Sequence, residues 1–308
     1  MSVPPPSAQQ EAEALLAPPT MDVPITDART LFSCFTSFLT VAIHTILYYR
    51  NVYPKETFLS SKAFNLPVHQ SRHPKVCSWI TDAVDAVMAQ VAKGTVDRMA
   101  VVVHSPSSSS PFSTPATRQL PSGTVMERWM FDTSYFPVWP GGIEALKNFR
   151  GEAAEEDEPA VGGEHRGGGD GNIAAGVADR GAAENDRVAA NINWADVHEQ
   201  LRGAVRRLAQ SGEKMDALPT GCTFTVVVEL REQAQAPIGH PQPWIPSQPE
   251  LQPAAQSKRG RELSAHDATT TPIRSLEVGP LFVECWVEES RAKDALRAFA
   301  EQESQSTT

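Results

Sequence analysis

Eight histidines and four cysteines are the residues through which this 308-residue chain could hold a metal or run nucleophilic chemistry. Their spacing favours neither. Cys34, Cys77, Cys222 and Cys285 stand far apart with no C-x-x-C pair, and no H-E-x-x-H helix motif occurs, so a zinc centre is not expected. The run Gly167-Gly168-Gly169 follows no predicted strand, opens no predicted helix and lacks the Lys of a phosphate loop. A G-x-S-x-G nucleophile elbow is also missing. The pattern points away from an enzyme and away from a resident cofactor. The dispersed cysteines fit a reducing, intracellular compartment.

Charge narrows the partners. The formal net charge is -10, but residues 151–190 hold ten acids against three bases and so carry -7 of it. The rest of the chain is close to neutral, without the basic face that autonomous nucleic-acid binding needs. Thr30 to Tyr49 has no charged residue and is long enough to cross a bilayer. Ser33, Thr36, Ser37, Thr40, His44 and Thr45 interrupt it, while Leu31, Phe35, Phe38, Leu39, Ala42, Ile43 and Ile46 recur at helical spacing. A central helix packed on most sides is the expectation, with no membrane span.

The elements that would position any site follow from the same periodicity. Residues 1–26 are Pro-rich and aperiodic, a leader without a core. A second helix is predicted from Pro74 through Val76, Ile80, Val84, Val87 and Val91, with Gly94 as its stop. Met99–Val103 reads as a buried strand and Glu127–Asp132 as its partner. Between them Ser105 to Gly123 is rich in Ser, Thr and Pro, and reads as an insertion without fixed structure at about 105–125. A second insertion, at about 137–192, is longer than ordinary loops allow. Asn193 caps a third helix with Trp194, Val197, Leu201, Ala204, Val205 and Leu208 as its apolar stripe. Phe224, Val226, Val228 and Leu230 share one face of the clearest strand. Pro-rich chain follows from Pro237, then a last alternation at Leu281–Glu288, and residues 292–308 read as a tail. The economical fold is α+β: three helices on one antiparallel sheet, in a single domain.

Three strings carry more. VAIHTILYYRNVYP (Val41–Pro54), FNLPVHQSRHP (Phe64–Pro74) and PTGCTFTVVVELRE (Pro219–Glu232) resemble the HORMA domain, and within it the branch that serves DNA polymerase zeta as accessory subunit. Pro243-Trp244-Ile245 and Trp286-Val287-Glu288-Glu289 agree with that branch. The resemblance spans roughly 28–104, 126–136 and 193–291. It implies a non-catalytic binding module whose C-terminal safety belt, about Arg231 to Pro280, closes over an extended partner peptide.

The resemblance also implies residues. The Pro-rich peptide of the polymerase zeta catalytic subunit would be gripped by Trp79, where the family more often has Tyr, and by Pro243, Trp244 and Ile245. A second surface, for the scaffold translesion polymerase, would fall on Thr270, Glu284 and Trp286, where Leu, Gln and Tyr are common. HORMA pairing would use the third helix at Arg202, although the matching position is Gly203. Further implied partners are another HORMA protein and a remodelling ATPase, in the nucleus. Ser257-Lys258-Arg259-Gly260-Arg261 is the candidate import patch. The alternative within the same fold is a spindle-checkpoint or meiotic chromosome-axis adaptor that binds other closure peptides.

Overall fold

The computed structural model describes residues 25–121, 123–139, 142, 192–231, 234 and 268–298. Helix α1, Ile25–Tyr49, begins two residues inside the expected leader and is the central element. It is the one helix among the described residues long and apolar enough to cross a membrane, and the fold uses that length as core. Leu31, Phe35, Phe38, Leu39, Ala42, Ile43 and Ile46 are buried. Its polar interruptions are absorbed locally: the hydroxyls of Thr36, Thr40 and Thr45 donate to carbonyls one turn back, those of Phe32, Thr36 and Val41.

After α1 come two strands the periodicity had not revealed, β1 (Phe58–Ala63) and β2 (Leu66–Ser71), paired as a hairpin. Its two-residue turn puts Phe64 and Asn65 at positive φ, the geometry normally signalled by glycine. Helix α2, Pro74–Ala92, and its Gly94 stop, at φ 70°, match the expectation.

The main sheet orders five strands as β5-β3-β4-β7-β6, every pair antiparallel. These are β3 (Val96–His104), β4 (Val125–Asp132), β5 (Thr223–Leu230), β6 (Thr269–Val278) and β7 (Leu281–Glu289). Helix α3, Trp194–Lys214, starts where the Asn193 side chain accepts the Asp196 N–H. It lies against α1 and β6, on the sheet face where Met99, Val101, Trp129, Phe131, Val283 and Val287 are buried. Gly212 lets α1 and α3 cross closely, since a Cβ there would stand 2.9 Å from that of Tyr49. The opposite face carries a smaller cluster of Ala100, Val102 and Met130, with Val227 and Trp286 beside it. The architecture is α+β with three long helices on one face of an antiparallel sheet.

Four segments read from the sequence as insertion, belt or tail hold defined structure among the described residues. Residues 105–121 are not without structure: they form successive turns, with Ser113 and Thr117 buried and Thr114 and Thr117 bonded to each other. Ser and Thr there satisfy backbone groups rather than fill a core. The connection after β4 stays packed past 137, because the Trp139 N–H donates to the Ala92 carbonyl and Phe136 packs edge-to-face on Phe32 and tilted against Phe35. Within the belt expected from about Arg231 to Pro280, residues 269–278 are strand β6, hairpinned onto β7. Last, the expected tail begins as structure: residues 292–298 are helical, with Ala292 and Lys293 buried.

Lys293 completes a buried charge cluster. Glu127, fully buried on β4, takes Nζ of Lys293 at 2.5 Å, the Arg50 guanidinium at 2.6 Å and 3.0 Å, and the Trp129 indole N–H at 3.1 Å. Arg50 also donates to the carbonyls of Gly212 and Asp216, and Lys293 reaches Glu289 on β7. One carboxylate thus ties α1, β4, the end of α3 and the chain after β7. Removing one partner of such a buried set typically costs about 3–5 kcal/mol.

Candidate functional site

Strand β5 has β3 on one side in a long register, Val96 opposite Leu230 through His104 opposite Thr223. Among the described residues no strand pairs with its other side. No residue of β5 is fully buried. Its Phe224, Val226, Val228 and Leu230 pack toward the core, as the alternation implied. An edge of this kind presents a row of backbone N–H and C=O groups ready to pair with another extended chain.

Aromatic side chains stand beside that edge. Trp79, half-buried on α2, meets Phe224 edge-to-face at 5.1 Å, and Tyr53 meets the same ring at 6.3 Å. Trp79 therefore belongs at the edge rather than deep in the core. Phe224, which the sequence reading placed only in the strand's inner face, is the ring that seats it. The two ends of β5 are fixed independently. At its start, Gly221 takes a φ of 82° under the Phe112 side chain, which would collide with a Cβ there. His104 Nδ1 lies 3.0 Å from the Gly123 carbonyl and so donates to it, leaving Nε2 to accept from the Thr225 hydroxyl at 2.9 Å. Burial pushes this imidazole's pKa down, which suits the neutral form that arrangement requires. At its end, Arg231 donates to the Ser134 carbonyl at 2.5 Å, lies 3.1 Å from Asp97, and sends its own N–H to Thr95. The chain thus leaves β5 from a pinned residue.

The other residues singled out in the sequence fall elsewhere. Thr270, Glu284 and Trp286 come together on the outward face of the β6–β7 hairpin, where Thr270 is opposite Glu288 and Trp286 is opposite Pro272 and Met130. The Trp286 indole donates to Glu288, and the Arg98 guanidinium lies 5.9 Å over its ring. Arg98 in turn bridges Asp132 and Glu229. Hydrogen bonds from Ser134 and the Arg98 partner outweigh burial and hold Asp132 below the usual carboxylate range. Arg202 lies on α3, paired with Glu199, on a different element from the residues of either surface. Pro243, Trp244 and Ile245 lie outside the described residues, as does the 257–261 cluster.

Among the described residues no three His, Cys, Asp or Glu side chains gather as a metal would require. His69 and His73 are four apart in sequence, but His69 is spent in a 3.5 Å stack on Tyr48. Burial pushes the Cys222 thiol up to about 12 and raises that of Cys285 as well, leaving both protonated and unreactive.

The HORMA domain pattern matches residues 33–265. The chain belongs to the HORMA family. Among curated HORMA relatives it is 23% identical over 261 residues to the DNA polymerase zeta processivity subunit of Schizosaccharomyces pombe, covering 84% of this chain and 93% of that one. It is also 23% identical over 265 residues to the human mitotic spindle assembly checkpoint protein MAD2B, covering 83% and 89%. A shorter stretch of 68 residues is 35% identical to the DNA polymerase zeta processivity subunit of Arabidopsis thaliana, covering 22% of this chain and 32% of that one. Among solved structures, a chain of the mitotic checkpoint complex is 14% identical with a TM-score of 0.49, covering 84% of this chain and 98% of its own. Caenorhabditis elegans HTP-2 bound to HTP-3 closure motif 1 is 14% identical with a TM-score of 0.45, covering 90% and 91%.

Proposed function

We propose that this HORMA protein is a non-catalytic adaptor that takes an extended, proline-containing peptide of the DNA polymerase zeta catalytic subunit as an added strand on β5. The open edge of β5 beside the Trp79–Phe224 pair is the observation that carries the reading. An aromatic face gains apolar area against proline at low entropic cost. Main-chain pairing along Thr223–Leu230 supplies affinity that does not depend on sequence.

Connectivity supports enclosure. The chain leaves β5 at Arg231 on one edge of the sheet and returns at β6 on the opposite edge. Four strand spacings separate the two, about 19 Å at 4.8 Å each. Residues 232–267 are several times longer than that span when extended, so they can pass over a bound peptide, with Pro243, Trp244 and Ile245 among them. Release would then need the β6–β7 hairpin to detach, and the Glu127 cluster opposes this. In this reading the protein works in translesion synthesis in the nucleus. The outward face at Thr270, Glu284 and Trp286 is the docking surface for the scaffold polymerase. Another HORMA protein and a remodelling ATPase are further proposed partners.

Calorimetry with a peptide of the catalytic subunit tests the reading. Trp79→Ala is expected to weaken binding by more than about 2 kcal/mol, roughly 30-fold, with the fold retained. A folded variant with unchanged affinity removes Trp79 from the site. Tighter binding of a spindle-checkpoint or meiotic-axis closure peptide than of the polymerase peptide would favour the alternative adaptor role.

A further inference from the structure

Helix α3 gathers on its outer side more positive charge than it neutralises. Arg202 and Arg206 stand one turn apart, with Arg207 in the adjacent row beside Gly203. Arg274 reaches over from β6 to join them. Its guanidinium crosses Gly203, 3.0 Å from where a Cβ would stand, and its Nη2 donates to the Gln200 side chain at 2.6 Å. The position that departs from the family's arginine is therefore the floor on which another arginine lies. The four arginines, with Gln210, line a hollow of about 490 Å³.

Glu199 is the single carboxylate of that lining, and it is paired with Arg202. Arg206, Arg207 and Arg274 form no ion pair among the described residues, and Arg274 Nε is buried without a hydrogen-bond partner. Four guanidinium groups against one carboxylate leave three net positive charges converging on one cavity. Their mutual repulsion is relieved by an anion, and guanidinium forks pair bidentately with carboxylates as with phosphates.

The chain supplies that chemistry itself. Glu152, Glu155, Glu156, Asp157 and Glu158 place five carboxylates within seven residues. They join α3 through residues 159–193, and the entry point Ile192 rests near Gly279 at the β6–β7 turn. A connection of that length reaches about 30 Å on random-coil statistics, whereas Trp194 to Arg206 is about 18 Å along the helix. A tethered partner at such range acts at roughly millimolar effective concentration. Nucleic acid is a poorer occupant, because phosphate binding needs a broad basic face and the remainder of this chain is near neutral. We propose that the α3–β6 arginine hollow binds the chain's own acidic run, residues 152–158.

The test uses the full chain and a fluorescein-labelled peptide of residues 151–159 as probe, read by anisotropy at low salt. Wild type is compared with a chain in which E152Q, E155Q, E156Q, D157N and E158Q remove the charge of the internal run. If the run occupies the hollow, the neutralised chain binds the probe at least ten-fold more tightly than wild type. Adding R206E and R207E to it abolishes that gain, and added salt weakens binding steeply. Both arginines are exposed, so an unchanged thermal melt certifies the fold. Equal probe affinity for wild type and neutralised chain overturns the proposal. So does the absence of binding to either, or binding that survives R206E and R207E.

Discussion

The two edges of the sheet are built in opposite ways. At one edge, β6 carries Pro272 with a register shift beside it, and its outer residues are Thr269, Thr270, Thr271, Ser275 and Glu277, all exposed. Proline, a bulge and polar side chains are the usual means of stopping an edge from pairing. At the other edge, β5 reads TFTVVVEL, without proline, rich in β-branched residues, and regular in register along most of β3. An edge left in that state is an aggregation hazard unless something covers it. Among the described residues β5 is left unpaired where the outer side of β6 is blocked, which is the difference that the proposed strand capture requires.

The largest effect is expected on the closed side. Arg50→Ala leaves Glu127 buried with a lost partner and should destabilise the chain by about 3–5 kcal/mol in urea unfolding. Loss below 1 kcal/mol would show that the cluster is not what holds β4 and the chain after β7 together. The next effect separates the two edges directly. Trp79→Ala should weaken peptide binding roughly 30-fold, while Trp286→Ala, on the outward face near the closed edge, should leave that affinity unchanged. Equal losses from both would erase the distinction.

Acid acts on the frame that both edges share. His44 on α1 is buried, accepts the Ser71 N–H, and has its pKa lowered to about 4 by burial. The unfolded chain binds that proton near pH 6.5 and the folded chain resists it, so this group's contribution is full above 6.5 and is lost as pH falls toward 4. Wild type should lose about 2 kcal/mol more than a folded His44→Asn variant between pH 7 and pH 4. Parallel pH curves would assign acid sensitivity to other groups. The smallest effect is expected from deleting residues 144–190, which carry the acidic excess and little apolar periodicity. Measured against the chain whose 152–158 run is neutralised, the melting temperature should stay within about 2 °C, and a further cooperative loss of several degrees would show that the rest of the segment is packed.

Elements defined by one strong pattern were legible in the sequence. The alternation at Thr223–Leu230 gave β5 to the residue, and Asn193 marked the start of α3. The HORMA strings gave the fold and pointed to Trp79. What escaped notice lacked a local signal. The β1–β2 turn uses Phe64 and Asn65 where glycine is usual, and Pro272 disguised β6 as belt. Glu127 sits in an alternating strand where a charge suggests solvent, and only the fold reveals that Arg50 and Lys293, 77 and 166 positions away, surround it. Phe224 and Arg231 joined the candidate site only through contacts from α2 and from the chain after β4.

Amide hydrogen exchange with and without the polymerase zeta peptide tests the edge claim most directly. Addition of a strand protects the amides that it bonds and leaves the far edge alone. Exchange across Thr223–Leu230 should slow markedly on binding while Thr269–Val278 stays as it was. Binding that leaves Thr223–Leu230 unprotected, or that protects Thr269–Val278 instead, would contradict capture at the open edge.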